Sequence, residues 1–339
     1  MNRLVTVLLA LGLACHVGVL LAQSQAATAS TARVDDKNIS QWLLRLHDAA
    51  RQRAYVGTFV VTAGGVLSSA RIWHVCEGQQ QMERVQALTG PTRTTFRRND
   101  QVMTFLPDKR VVISENRESL GLFPNLLNRA DSSIAKYYSL QSWGHERVAG
   151  LEADVVQLVP VDTLRFGYRL WTEQSTGLVV KLQTLDHANT VVEQAAFSDL
   201  QLGDSVSMAK LSAQMDNIEG YQVRKPNLVK TTAQQEGWQF TGQVAGFSPM
   251  SCHKRASADA SAKNHDTLQW VFSDGLASVS LFIESFDAAR HNKFAQQNTF
   301  AMGATHMLTR HLGPWWLTVV GEVPAPTLAV FAQGLERKK

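Results

Sequence analysis

Few residues in this chain could do chemistry, and their spacing excludes most of it. Cys252 and His253 are adjacent, so a thiolate and its base could not face each other across a site. His306 and His311 stand five apart. On a strand they would point to opposite faces and could not chelate one ion. The Gly-x-Ser-x-Gly elbow, the phosphate loop, the dinucleotide glycine fingerprint and His-Glu-x-x-His do not occur. The chain therefore reads as a non-enzyme with neither metal site nor cofactor, and binding chemistry is what remains. Arg93, Arg97 and Arg98 cluster around one predicted strand. They suit an anionic lipid headgroup, or else form that strand's solvated face. Trp270, Phe272, Trp315 and Trp316 are of the types that anchor protein partners or fill cores. The formal net charge is only +4, and the basic run is confined to Arg337-Lys338-Lys339, which argues against a nucleic-acid partner.

Such side chains act only where a frame holds them, and the frame centres on residues 165–186. Phe166, Tyr168 and Leu170 alternate with Arg165, Gly167, Arg169 and Trp171. Beyond Ser175-Thr176-Gly177, Leu178, Val180 and Leu182 alternate with Val179, Lys181 and Gln183. A period of two on both sides of a turn predicts an antiparallel hairpin with one row per face. Gly177 supplies the backbone freedom for the reversal. Apolar residues in both rows predict a sheet covered on one side and concave on the other.

The neighbouring segments extend this sheet. Asn38 or Ser40 can cap a helix whose stripe is Trp42, Leu43, Leu46 and Ala50. Period-two segments follow at 55–62, 66–75, 81–88, 92–98, 101–106, 110–114, 137–147, 153–161 and 190–200, separated by turn residues. With the central hairpin they make about ten strands, an antiparallel pattern. A sheet of that length must curl or close. A half-barrel wrapped on the helix leaves a concave apolar face, for which Phe59, Val61, Ile72, Phe105, Leu170 and Val180 are the expected lining. Residues 120–134 are apolar but not strand-like, either a core-covering segment or a flap beside the cavity.

Composition turns polar over residues 204–230, with Pro226 inside, as expected of an interdomain linker. Past it, Trp238, Phe240 and Phe247 begin a second core, and residues 250–265 read as an exposed polar loop. Asp274-Gly275 marks a hairpin between 268–273 and 276–284. Strands at 299–309 and 315–320 and a final helix at 327–335, striped by Leu328, Phe331 and Leu335, complete a smaller α+β domain.

Residues 1–26 carry Arg3, an apolar run from Leu4 to Ala22 and small residues at Ser24 and Ala26, the pattern of a cleaved secretory signal. The expected product is exported and soluble. Cleavage would leave Cys76 and Cys252, which an oxidising compartment permits to pair and which otherwise are two buried thiols.

Several stretches carry a family resemblance. The pattern of Tyr168, Trp171, Gly177, Leu178 and Lys181 resembles the central hairpin of the LolA/LolB-type lipoprotein-carrier fold. Gly90-Pro91 with Arg93, the hairpin to Asp186, Phe272-Ser273-Asp274-Gly275-Leu276 and Val320-Gly321-Glu322-Val323-Pro324 together resemble the RseB/MucB family, in the right order from residue 38 to 336. The resemblance implies a LolA-like lipid-sensing domain over 38–203 and a C-terminal partner-binding domain over 231–336. It implies a periplasmic negative regulator of an envelope-stress sigma factor. Such a protein binds the periplasmic part of an RseA/MucA-type transmembrane anti-sigma factor, shields it from the site-one protease, and is released by lipopolysaccharide or lipidated signals. It would lie at the inner membrane through that partner, with a homo-oligomer also compatible. The alternative is a lipoprotein or lipid carrier of LolA type, although a bare carrier would end near residue 203.

Overall fold

The computed structural model describes residues 36–116, 132–203, 206–255, 266–292 and 299–338. Helix α1 (Asp36–Gln52) leads into β1 (Tyr55–Ala63), β2 (Val66–Glu77), β3 (Gln80–Ala87), β4 (Thr94–Arg98), β5 (Gln101–Leu106) and β6 (Val111–Asn116). A short 3-10 turn at Ser132–Lys136 precedes β7 (Tyr138–Val148), β8 (Leu151–Pro160), β9 (Gly167–Glu173), β10 (Val179–Leu185) and β11 (Val191–Leu202). After these come α2 (Met208–Asp216) and β12 (Gln222–Arg224). The strands form one sheet in the order β12-β6-β5-β4-β3-β2-β1-β11-β10-β9-β8-β7, open at β12 and β7. It is an open curved sheet rather than a closed barrel. Leu151 and Val155 of β8 pack in one cluster with Tyr55 and Ile72 of β1 and β2, four or five strands away in the sheet order.

The central hairpin forms where the alternation places it, and its turn is pinned from within. Glu173 accepts from the backbone N–H groups of Ser175 and Thr176 at 3.1 and 2.7 Å, and from both hydroxyls. Burial opposes its charge, but these four donors hold the Glu173 carboxyl below its ordinary value. Gly177 has φ +80, and a Cβ there would lie 3.0 Å from the Arg45 side chain of α1. Glycine therefore serves both the turn and the approach of the helix. Ile39, Leu43 and Leu46 of α1 bury against Leu140, Val156, Leu158, Tyr168 and Leu170.

The second unit contains β13 (Leu228–Lys230), β14 (Trp238–Phe240), β15 (Ser248–Arg255), β16 (Thr267–Ser273), β17 (Ser278–Ser285), α3 (Ala288–His291), β18 (Thr299–Met302), β19 (Thr305–Leu312), β20 (Trp315–Gly321), α4 (Ala325–Gly334) and β21 (Leu335–Arg337). Its main sheet runs β13-β15-β16-β17-β20-β19-β18, and β14 pairs with β21. Leu328 and Phe331 of α4 close the core over Leu281, Ile283, Leu317 and Val319. At Gly321 a Cβ would stand 2.8 Å from the Ser278 carbonyl oxygen. The glycine of Val-Gly-Glu is thus a close-approach residue that lets β20 lie against β17.

The structure corrects several expectations. Residues 204–230 are no free linker: α2 and β12 belong to the first sheet's packing, β13 joins the second sheet, and three residues connect β12 to β13. Polar composition misled here because a short amphipathic helix on a sheet needs few apolar residues. Residues 250–255 are strand rather than loop, with Cys252 buried against the second core; residues 256–265 lie outside the described set. The first helix starts at Asp36, ahead of either cap candidate. The last helix spans Ala325–Gly334, and Leu335 turns into β21. No disulfide joins Cys76 and Cys252, and burial pushes the Cys252 thiol up to about 11. Most of 120–134, and residues 1–35, lie outside the described residues. No helix among the described residues is long and apolar enough to cross a membrane.

Candidate functional site

The two units meet around a completely buried arginine. Arg165 sits in the loop before β9, at the head of the stretch that organises the first sheet. Its Nε and Nη2 donate to the two oxygens of Asp162 at 3.0 Å each, and its Nη1 donates to Asp274 Oδ2 of the second unit at 2.8 Å. Nη2 also reaches the Ala245 carbonyl. The guanidinium lies 4.6 Å from the Tyr137 ring centroid and 5.4 Å from that of Phe247, one ring from each unit. Tyr138 Oη adds a donor to Asp274 Oδ2 at 3.5 Å.

Asp274 is held by its own turn. Its Oδ1 accepts from Leu276 and Ala277 N–H at 3.0 and 2.8 Å, while Gly275 N–H donates to Ser273 Oγ. Ser-Asp-Gly is therefore a reversal that leaves one carboxylate oxygen pointing across the domain boundary. Burial pushes the Asp274 carboxyl up, against the pull of the Ala277 and Leu276 amides and of Arg165. Apolar exchange flanks the ion pair: Leu164 packs on the second core, and Leu276 on the first. Thr327 Oγ1 of α4 donates to the Leu164 carbonyl at 2.8 Å. Two further contacts join the units, Ala304 N–H to Glu193 Oε2 at 3.2 Å and Arg255 to Glu115 at 3.7 Å.

Sequence reasoning read Asp274 as a turn residue and left Arg165 without a role. The available signal was a lone arginine in an apolar stretch, Leu164-Arg165-Phe166, a charge that cannot be buried without a partner.

Register decides which lining candidates share a face. Leu170, Leu182, Ala195 and Val61 follow one another across β9, β10, β11 and β1. Phe59 shares Val61's side of β1, and Ile72 is the partner of Gly57 on that side. Phe59, Val61, Ile72 and Leu170 thus face one way. Leu170 is under α1, whereas Phe59 and Val61 are half-buried. Phe105 faces the other way and packs with α2. Val180 is fully buried at the β10 irregularity. Between α1 and the β9–β10 turn lies a recess of about 390 Å³ lined by Gln41, Arg45, Asp48, Arg53, Ser175 and Thr176 among others, too polar a wall for an acyl chain.

The arginine trio is not brought together. Arg97 is 3.9 Å from Glu83, Arg98 is 2.9 Å from Asp216 on α2, and Arg93 is exposed before β4. Among the aromatics, Trp270 and Phe272 pack with Phe240 under α4, and Trp315 meets Trp238 edge-on at 5.6 Å. Trp316 lies on the opposite face, stacked on His291 at 4.8 Å. Strands β16, β17 and β20, which carry Trp270, Phe272, Trp315 and Trp316, are all interior to the sheet; its outer strands are β13 and β18.

One buried group escaped the sequence reading altogether. His74 stacks on Tyr55 at 4.9 Å, and its Nδ1 donates to the Arg53 carbonyl at 2.7 Å. Its Nε2 is buried without a partner among the described residues. Burial holds the His74 pKa below its ordinary 6.5. The unfolded chain then takes up this proton first, so stability is unaffected by His74 above pH 6.5 and declines as pH falls from 6.5 towards the lower folded value. Urea denaturation across that window should show a slope that His74→Phe removes, while a retained slope would assign the effect elsewhere.

Comparison with known proteins places this architecture. The models of the MucB/RseB N-terminal and C-terminal domains match residues 38–215 and 232–336. The chain belongs to the MucB/RseB family. The sigma factor AlgU regulatory protein MucB of Pseudomonas aeruginosa is 29% identical over 316 residues, 91% of this chain and 93% of that protein. The sigma-E factor regulatory protein RseB of Haemophilus influenzae is 22% identical, over 88% of this chain and 91% of its own. Among solved structures, MucB in complex with MucA(peri) superposes with TM-score 0.66 at 26% identity, covering 88% of this chain and 99% of that one. The P. aeruginosa MucA/MucB complex gives 0.67 at 25%, covering 89% and 99%. The two-domain architecture is thus that of MucB, and the curated MucB/RseB relatives are regulators of sigma factors.

Proposed function

We propose that this chain is an exported periplasmic regulator that binds the periplasmic segment of a transmembrane anti-sigma factor of the MucA/RseA type. In this reading it shields that segment from the first protease of the cascade and lets go when lipopolysaccharide or another lipidated signal occupies its N-terminal sheet. The observation that carries the reading is agreement over 88% of this chain, both domains at once, with MucB as seen in complex with MucA(peri). A carrier of LolA type has no use for a second domain fastened through a buried ion pair.

The acyl-binding face would be that of the half-buried Phe59 and Val61, whereas Ile72 on the same side is fully buried in the core. The partner would add to an open edge, β13 or β18, where backbone pairing gives affinity and half-buried Trp270 and Trp315 give neighbouring apolar surface. Acyl burial contributes about 0.8 kcal/mol per methylene, against about 1 kcal/mol or less for an exposed Arg93–phosphate pair. Deacylated lipopolysaccharide should therefore release the partner poorly. The test is capture of the anti-sigma periplasmic segment by the full mature chain, followed by digestion with the site-one protease. Retention and a slowed first cleavage are expected. Capture of outer-membrane lipoproteins instead, with no effect on cleavage, would favour a carrier.

A further inference from the structure

Partner and acyl-chain binding leave the surface around Trp73 without a role. Arg71 and Trp73 are two apart on β2 and share a face opposite that of Ile72. Arg84 on β3 is Trp73's register partner. The Arg71 guanidinium lies 5.5 Å from the indole centroid and that of Arg84 4.5 Å, and the Arg84 guanidinium is also 5.8 Å from the Phe96 ring centroid. The two charges are no farther apart than the sum of the two indole distances, about one Debye length at 0.1 M salt.

Neither arginine belongs to an ion pair among the described residues, in contrast to Arg97 and Arg98. Asp199 of β11 stands across Thr58 of β1 from Arg71 and makes no ion pair with it among the described residues, and Glu83 of β3 pairs with Arg97. Arg84 gives Nη1 to Gln214 Oε1 at 3.4 Å and Nη2 to Gln86 Oε1 at 3.0 Å, both neutral acceptors. The Nε–H of Arg71 and of Arg84 is buried with no acceptor among the described residues. Burial also holds the Arg84 pKa below its ordinary value. An indole face steadies a guanidinium without satisfying its N–H donors.

We propose that Arg71, Trp73 and Arg84 form a binding site for a phosphoryl-type oxyanion, with Gln86 and Gln214 at its rim. A carboxylate offers two oxygens and one charge and satisfies a single fork. A phosphoryl dianion offers three oxygens and charge enough for two guanidiniums. The site is on the sheet face opposite Phe59, Val61 and Ile72, so it stands or falls independently of acyl binding.

The test is calorimetric titration of the full mature chain with inorganic phosphate and with glycerol phosphate at low ionic strength. A parallel arm sediments the chain with phosphatidylcholine vesicles with and without phosphatidic acid. Saturable binding is expected, weakened by about tenfold or more in Arg71→Gln or Arg84→Gln and lost in the double variant. Arg93→Gln should bind as the parent does, and added salt should weaken binding. A response to free phosphate identifies a soluble anion; a response confined to phosphatidic acid vesicles identifies a headgroup. Should the glutamine variants lose their near-ultraviolet dichroism, Arg71→Lys with Arg84→Lys keeps the charge and removes the forks, and is expected to weaken binding without unfolding. No saturable binding in any arm, unchanged affinity in the lysine double variant, or preference for a glutamate-rich peptide over phosphate would overturn the assignment.

Discussion

Arg165→Met is expected to lower the free energy of unfolding by about 3–5 kcal/mol, because it leaves Asp274 buried and unpaired. Asp274 has no exposure through which water could compensate it. Asp274→Asn should cost less, about 1.5–3 kcal/mol, the range for a hydrogen bond to a charged group. The amide keeps an oxygen for the Leu276 and Ala277 N–H groups, and Arg165 keeps Asp162. The double variant should cost less than the sum of the singles, since neither orphan remains. Urea unfolding of the four proteins closes the cycle, and additive effects would show that Arg165 and Asp274 do not act as a pair. Both variants should also expose the sites around Tyr137 and Phe247 to protease before global unfolding, because the pair holds the boundary between the sheets. A three-residue connection and the contacts that cross the boundary leave little room for a freely changing angle. A signal passing between the domains would have to break or rebuild this junction.

Much of the frame was legible because period and turn chemistry are local. The hairpin at Gly177, the reversal at Asp274-Gly275 and the stripe of Leu328 and Phe331 each follow from a few neighbouring residues. The resemblance supplied the family, and spacing alone would not have done so. What stayed hidden depended on sequence-distant pairing. Nothing near Arg165 announces Asp274, 109 residues away. The face of Phe105 is set by counting register through β4, β3 and β2, a count that no single strand carries. The aromatic run misled in another way: Trp315 and Trp316 are neighbours in sequence but lie on opposite faces of β20.

Residues 204–230 give the second large effect. A fragment ending at Gly203 is expected to be molten or insoluble, and one ending at Lys225 to unfold cooperatively. Met208, Leu211 and Met215 of α2 are buried with Val75, Met82, Phe96, Met103, Phe105 and Val112, and Tyr221 meets Phe105 edge-on at 5.3 Å. Burying such side chains contributes about 1.5–3 kcal/mol each, so losing three approaches the whole stability of a domain, about 5–15 kcal/mol. The helix is also specified locally: Ser207 caps it by accepting from Lys210 N–H at 3.2 Å, and Asp216 at its end takes Arg98 at 2.9 Å. Strand β12 then pairs in parallel with β6 and covers that edge of the sheet. Both fragments lack the second domain and carry the same exposed Arg165 junction, so their difference isolates α2 and β12. Dye binding to exposed apolar surface and urea unfolding, run on the two side by side, are the measurements. Equal stability and equal dye binding would mean that the sheet's α2 face is held by something other than this segment.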